Sequence, residues 1–181
     1  MKKYLQYYWL EKEYLEKEVY DHFDEKGFLT AIQFFTIIRW KAPGLGAEPI
    51  RLGLKRQNSS LDVAVRDLTE RISRASTKED RLAILLEQDG FQLAMASAVL
   101  TILYPDDFSV YDWRVRSQLK HPRISGRIFP DITYAPNRIR RYFDEYVKQV
   151  KDSEPKLLLR DCDRALWAKS WLESLHKLIS K

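Results

Sequence analysis

Eleven consecutive residues, Leu93 to Leu103 (LAMASAVLTIL), carry no charge and are apolar on nearly every side. A helix of that composition is stable only with neighbours packed all round it. It is about half the length a bilayer crossing requires, so those neighbours are other parts of a folded protein. Ala94, Ala96, Ser97 and Ala98 are small enough to let adjacent backbones come close. The run therefore dictates a helical assembly with 93–103 at its buried centre.

The flanks extend this pattern to residues 82–119. Leu82, Leu85 and Leu86 recur at i, i+3, i+4, which gives the preceding helix one apolar face. Gly90 then offers a positive-φ position for a tight turn into the central helix. Pro105 closes that helix. Ser109 followed by Asp112 forms an S-x-x-D start signal for a third helix, whose core stripe is Tyr111, Val115 and Leu119.

The rest of the chain reads as helix too. Residues 2–25 form an amphipathic, acidic helix broken by Gly27. Leu29–Lys41 forms a second, with Ile32, Phe35 and Ile38 on its apolar face. After the loop 41–49 comes a short helix over Pro49–Arg56. Ser59 or Ser60 caps the next, with Leu61, Val65, Leu68 and Ile72 on one side. Ser76-Thr77-Lys78-Glu79 reads as a capping box for the helix that enters the turn. A helix from Asn137 to about Lys151 follows the Pro/Gly-punctuated loop 121–136. A last one, Leu159–Ile179, places Leu166, Trp167, Ser170, Trp171 and Leu175 at core spacing. No alternating run of strand quality occurs. The expected fold class is all-α, with eight to ten helices: an N-terminal amphipathic helix over 1–26 and one globular domain over 27–181.

At 181 residues and 45% hydrophobic, the chain has enough material for one cored domain. Its single cysteine, Cys162, allows neither a disulfide nor a cysteine-ligated iron–sulfur cluster within one chain. No metal-ligand pattern, Walker loop or Rossmann fingerprint is present, so no cofactor is expected. The N-terminus lacks the apolar run of a signal peptide, so a cytoplasmic protein without a membrane partner is expected. The net charge is +5, and it is unevenly placed. Between Asp112 and Arg141 eight basic residues, Arg114, Arg116, Lys120, Arg123, Arg127, Arg138, Arg140 and Arg141, face two acids. Such a stripe suits either a nucleic-acid footprint or a solvated basic face. Three cations opening one helix oppose its macrodipole, a cost that an anionic partner would offset.

The order helix, Gly90 turn, small-residue helix, then Asp112-Trp113-Arg114-Val115-Arg116 resembles the core of the helix-hairpin-helix DNA glycosylase superfamily. Arg39-Trp40-Lys41, Tyr104-Pro105-Asp106 and Asp163-Arg164-Ala165-Leu166-Trp167 resemble segments of a little-characterised branch of it. Coverage is then roughly 28–175. The resemblance implies a hairpin that holds DNA phosphate through Gly90 and Gln92, and a catalytic acid at Asp112. It departs from the pattern where Gln92 replaces the second hairpin glycine. It departs again where Ala94 occupies the place of the lysine used by members with lyase activity.

Two functions follow as expectations. The first is a DNA-binding protein that acts as a monofunctional glycosylase, with the Asp112 carboxylate stabilising the developing sugar cation and orienting water. Trp40, Tyr104 and Trp113 are its base-stacking candidates. The second is a non-catalytic nucleic-acid-binding or protein-interaction module on the same fold, with Asp112 reduced to a helix cap.

Overall fold

In a computed structural model of the chain, the described residues are 10–44, 46–58, 60–121 and 135–179. All of their regular structure is helical, with no strand among them. The chain sorts into two compact units, 1–104 and 105–181. This differs from a partition at residue 26, because the first helix contributes to the core of the first unit.

In the first unit, α1 runs from Leu10–Val19, wound as a π-helix, directly into Tyr20–Lys26. It buries Leu15, Val19 and Phe23 and packs on α2 and α6. α2 (Ala31–Lys41) starts at a capping box, in which Gln33 N–H donates to Thr30 Oγ1 and Thr30 N–H donates back to Gln33 Oε1. Its buried face is Phe34, Ile37 and Ile38, while Ile32 is exposed. The buried stripe is rotated from the expected one, with Phe34 and Ile37 taking the places of Ile32 and Phe35. α3 (Ala47–Gln57) begins two residues before the expected Pro49. α4 (Leu61–Arg74) is capped by Ser60, whose hydroxyl accepts from Val63 N–H at 3.5 Å. α5 (Lys78–Leu86) is capped by Thr77 through Asp80 N–H, so the capping signal is one residue later than Ser76/Glu79. α6 (Leu93–Leu103) is the central helix, buried from Ala96 through Leu103.

The turn from α5 to α6 is clamped by α3. Gly90 has φ +85°, and a Cβ there would lie 2.7 Å from both the Ile50 nitrogen and the Pro49 carbonyl carbon. From the other side, a Cβ on Gly53 would lie 2.7 Å from Asp89 Cβ and 2.8 Å from its carbonyl oxygen. Both glycines are explained by this close approach of backbones.

The second unit contains α7 (Trp113–Leu119), α8 and α9 (Leu159–Ile179). α8 comprises Ala135–Arg141, a π-wound stretch Tyr142–Val147, and Lys148–Ser153, end to end. α7 packs along α9, and Gln118 Nε2 donates to Glu173 Oε2 at 2.7 Å. α7 ends at Lys120, which takes the left-handed conformation (φ 53°), and the His121 N–H donates to the Arg116 carbonyl. The units divide the charge unequally. Of 31 basic and 26 acidic residues, 16 and 11 fall in 105–181 and 15 and 15 in 1–104. The whole net charge of +5 therefore belongs to the second unit.

Candidate functional site

Asp112 sits at the end of a buried, non-helical segment, 108–112, whose backbone groups cannot find partners in a regular ladder. Side chains of α8 and α9 supply them instead. The Tyr142 hydroxyl donates to the Ser109 carbonyl at 2.6 Å and accepts from the Ser109 N–H at 3.1 Å. One turn later, the Tyr146 hydroxyl donates to the Val110 carbonyl at 2.6 Å and accepts from the Asp112 N–H. The Val110 N–H donates to Asp163 Oδ2 at 3.4 Å, and Arg160 Nη1 donates to the same oxygen at 2.6 Å. Phe108 is fully buried against the rings of Tyr142 and Phe143.

Burial sets the electrostatics of this cluster. It pushes the Tyr142 and Tyr146 hydroxyls far above the usual phenol range, so both stay protonated donors. It also raises the Asp163 carboxyl, against the Arg160 guanidinium and the Val110 N–H, both of which favour the ionised form. The result is a rigid mount for the residue that follows.

Asp112 is the cap of α7. Its Oδ1 accepts from the Arg114 N–H at 2.8 Å, and its carbonyl accepts from the Arg116 N–H at 3.0 Å. Ser109, expected to start this helix, is instead fully buried three residues upstream. Val115 is the buried residue of α7 and Leu119 is only half-buried.

The basic residues separate by environment. Lys120 and Arg140 are exposed. Arg116 lies over the Tyr111 ring at 5.3 Å. Arg141 donates through Nε to both Glu145 oxygens, and Arg138 is half-buried, which depresses its guanidinium pKa. Arg123 and Arg127 lie outside the described residues.

Arg114 belongs to an aromatic surface. Its guanidinium carbon is 4.6 Å from the Trp113 ring centre and 5.5 Å from that of Trp167, and its Nη1 donates to Ser174 Oγ. Trp113 is 59% exposed, Trp167 42% and Trp171 44%. Helical spacing places Trp167 and Trp171 in the core, but the buried residues of α9 are Leu159, Cys162, Asp163 and Ser170. Leu166 and Leu175 are half-buried.

The other expected site residues lie in the first unit. Gln92 is exposed at the start of α6 and makes no side-chain cap, and Gly90 is clamped against α3 as described. Trp40 is half-buried near the end of α2. The Tyr104 ring is covered by the Arg81 guanidinium at 4.0 Å and met edge-on by Phe23. Among the described residues, no group of three His, Cys, Asp or Glu side chains is placed to hold a metal ion. No helix among them is long and apolar enough to cross a membrane.

Sequence reasoning missed Tyr142 and Tyr146, and it gave Asp163 no role beyond its place in the resemblance. Their i, i+4 spacing reads as ordinary helix core, and nothing local marks two hydroxyls as partners of a segment 33 to 36 residues away. No family model, no curated protein and no solved structure matches the chain.

Proposed function

We propose that the chain binds nucleic acid, DNA first, through its second unit, using α7 and the start of α8. The observation that carries this reading is the charge division: one unit is neutral and the other holds the entire +5, with Lys120 and Arg140 exposed in the latter. The likeness to helix-hairpin-helix glycosylases points the same way. Gly90 adds no support, because its packing on α3 already accounts for it. The test is affinity for a short duplex measured against salt. The log–log slope should be steep, and Lys120→Gln with Arg140→Gln should flatten it by roughly 1 for each phosphate no longer neutralised. Absence of binding at low salt, or an unchanged slope in the double variant, would remove this reading.

A second reading, a monofunctional glycosylase using Asp112, is favoured by one feature. The acid stands on a segment fixed by Tyr142, Tyr146 and Asp163, the kind of mounting a preorganised catalytic carboxylate needs. The same arrangement serves a helix cap. The two separate on Asp112→Asn, because asparagine also caps well and should cost at most about 1 kcal/mol of stability. Base release from duplexes carrying uracil, alkylated or oxidised bases should fall by roughly a hundredfold or more. If the parent releases none of these bases, Asp112 is a cap alone.

A further inference from the structure

We infer that Trp113, Arg114, Trp167 and Trp171 form a stacking platform for unpaired nucleobases, so that the second unit binds single-stranded or locally opened nucleic acid. This inference rests on the nucleic-acid reading above and names the form of the ligand.

Exposed tryptophan is costly to leave in water, and here three rings stand on two packed helices, each between two-fifths and three-fifths exposed. The Arg114 contacts hold the centres of Trp113 and Trp167 within about 10 Å of one another, the sum of 4.6 and 5.5 Å being the upper limit. Trp171 lies one turn along α9 from Trp167 and one turn before Ser174, which accepts from Arg114. A guanidinium placed among aromatic faces offers a π-stacking surface and a charge for a phosphate together. Duplex DNA offers its phosphates but keeps its base faces stacked inside, so it can use the charge and not the rings. An unpaired base uses both, and stacking on a ring tolerates any base because each has a π-face. The unit's net positive charge complements a polyanion, whereas a purely apolar partner would gain nothing from it.

The test uses the full chain and a fluorescently labelled oligothymidylate of about 20 nucleotides, long enough to cover one or two single-strand sites. A duplex of equal length serves for comparison, and both are titrated at several salt concentrations. The single strand should bind more tightly than the duplex. Trp113→Ala and Trp171→Ala should each lower single-strand affinity roughly tenfold, the loss of one base–ring stack. Neither removes a charge, so the salt slope should stay unchanged while the curve drops. Trp113→Phe should restore most of the loss because a ring remains. Circular dichroism of each variant establishes that the exposed substitutions leave the helices intact. If duplex binding persists while the tryptophan variants bind single strands as the parent does, the platform is refuted and the nucleic-acid reading survives. If neither form binds at low salt, both fall. If sedimentation shows a dimer that Trp171→Ala dissolves, a second copy covers these rings and the platform is refuted.

Discussion

Each unit contains one irregular segment that matters, and the two are held by opposite means. In the first unit the turn 87–92 is tied by backbone bonds to itself and to the end of α5. The N–H groups of Glu87, Gln88 and Phe91 donate to the carbonyls of Ala83, Leu85 and Gln88, and α3 then packs directly on the turn because Gly53 and Gly90 carry no side chains. In the second unit, segment 108–112 depends on Tyr142, Tyr146 and Asp163, side chains delivered from distant helices. A turn that closes on itself needs small residues around it. A strand-like segment with no ladder needs donors and acceptors aimed at it, and each becomes a point where a single substitution strands a buried polar group.

The largest expected effect is at Asp163, which tests this dependence directly. Asp163→Ala removes the carboxylate that the mostly buried Arg160 meets at 2.6 Å and takes from the Val110 N–H the oxygen it donates to. Breaking such a pair costs about 3–5 kcal/mol. Amide exchange should accelerate across 108–115 and α9 by roughly a hundredfold or more, the factor such a loss implies. Protection equal to the parent's would show that the segment is held without this carboxylate. The pH response has a definite sign. Burial raises the Asp163 carboxyl in the folded state, so the folded unit holds that proton more tightly than the unfolded chain. Its contribution is fully present below the ordinary carboxylate range and declines as pH rises through the folded value. Glu25, Glu48 and Glu70 of the first unit are held low by Lys26, Arg51 and Arg66, and their contributions are lost as pH falls. Acidification should therefore loosen these surface pairs while favouring the Asp163 site.

Gly90→Ala is the matching test of the first unit. The new Cβ meets backbone atoms of Pro49 and Ile50, which cannot rotate away, in a conformation that L-residues adopt at a cost of about 1–2 kcal/mol. Adding the displacement of α3, the loss should reach about 2 kcal/mol or more, read as a drop in the denaturation midpoint with faster exchange in 47–57 and 87–96. A neutral substitution would mean that the turn is not clamped and that the glycine serves a ligand instead.

The contrast also explains what was legible in the sequence. α6 is set by its apolar run and closed by Pro105, α9 shows helical spacing, and Gly90 and the Ser60 cap act through local backbone chemistry, so period and propensity found them. Thr77/Asp80 and Ser76/Glu79 fit one local pattern, and only the folded chain distinguishes them. Trp167 and Trp171 have the spacing of a core stripe, yet a stripe records only that residues share a helix face and carries no information on whether a neighbour covers it. For the candidate site, the cap at Asp112 was visible and the mount behind it was not, since hydrogen bonds to distant tyrosines leave no periodicity.

The smallest effect sharpens the comparison at a residue where stability and function pull apart. Lys120 is the only non-glycine residue with positive φ among the described residues, at the end of α7 where glycine is the usual occupant. Glycine would relieve left-handed strain of about 1 kcal/mol, partly offset by its greater freedom in the unfolded chain. Lys120→Gly should thus raise stability by at most about 0.5 kcal/mol. The same substitution removes an exposed cation from the basic unit, so duplex affinity should fall and the salt slope should flatten by roughly 1. A folded state that gains stability while losing DNA affinity would show that the lysine is kept for its charge. If stability rises and affinity is unchanged, Lys120 lies outside the DNA-binding surface, and that surface contracts toward Arg140 and the Trp113 platform.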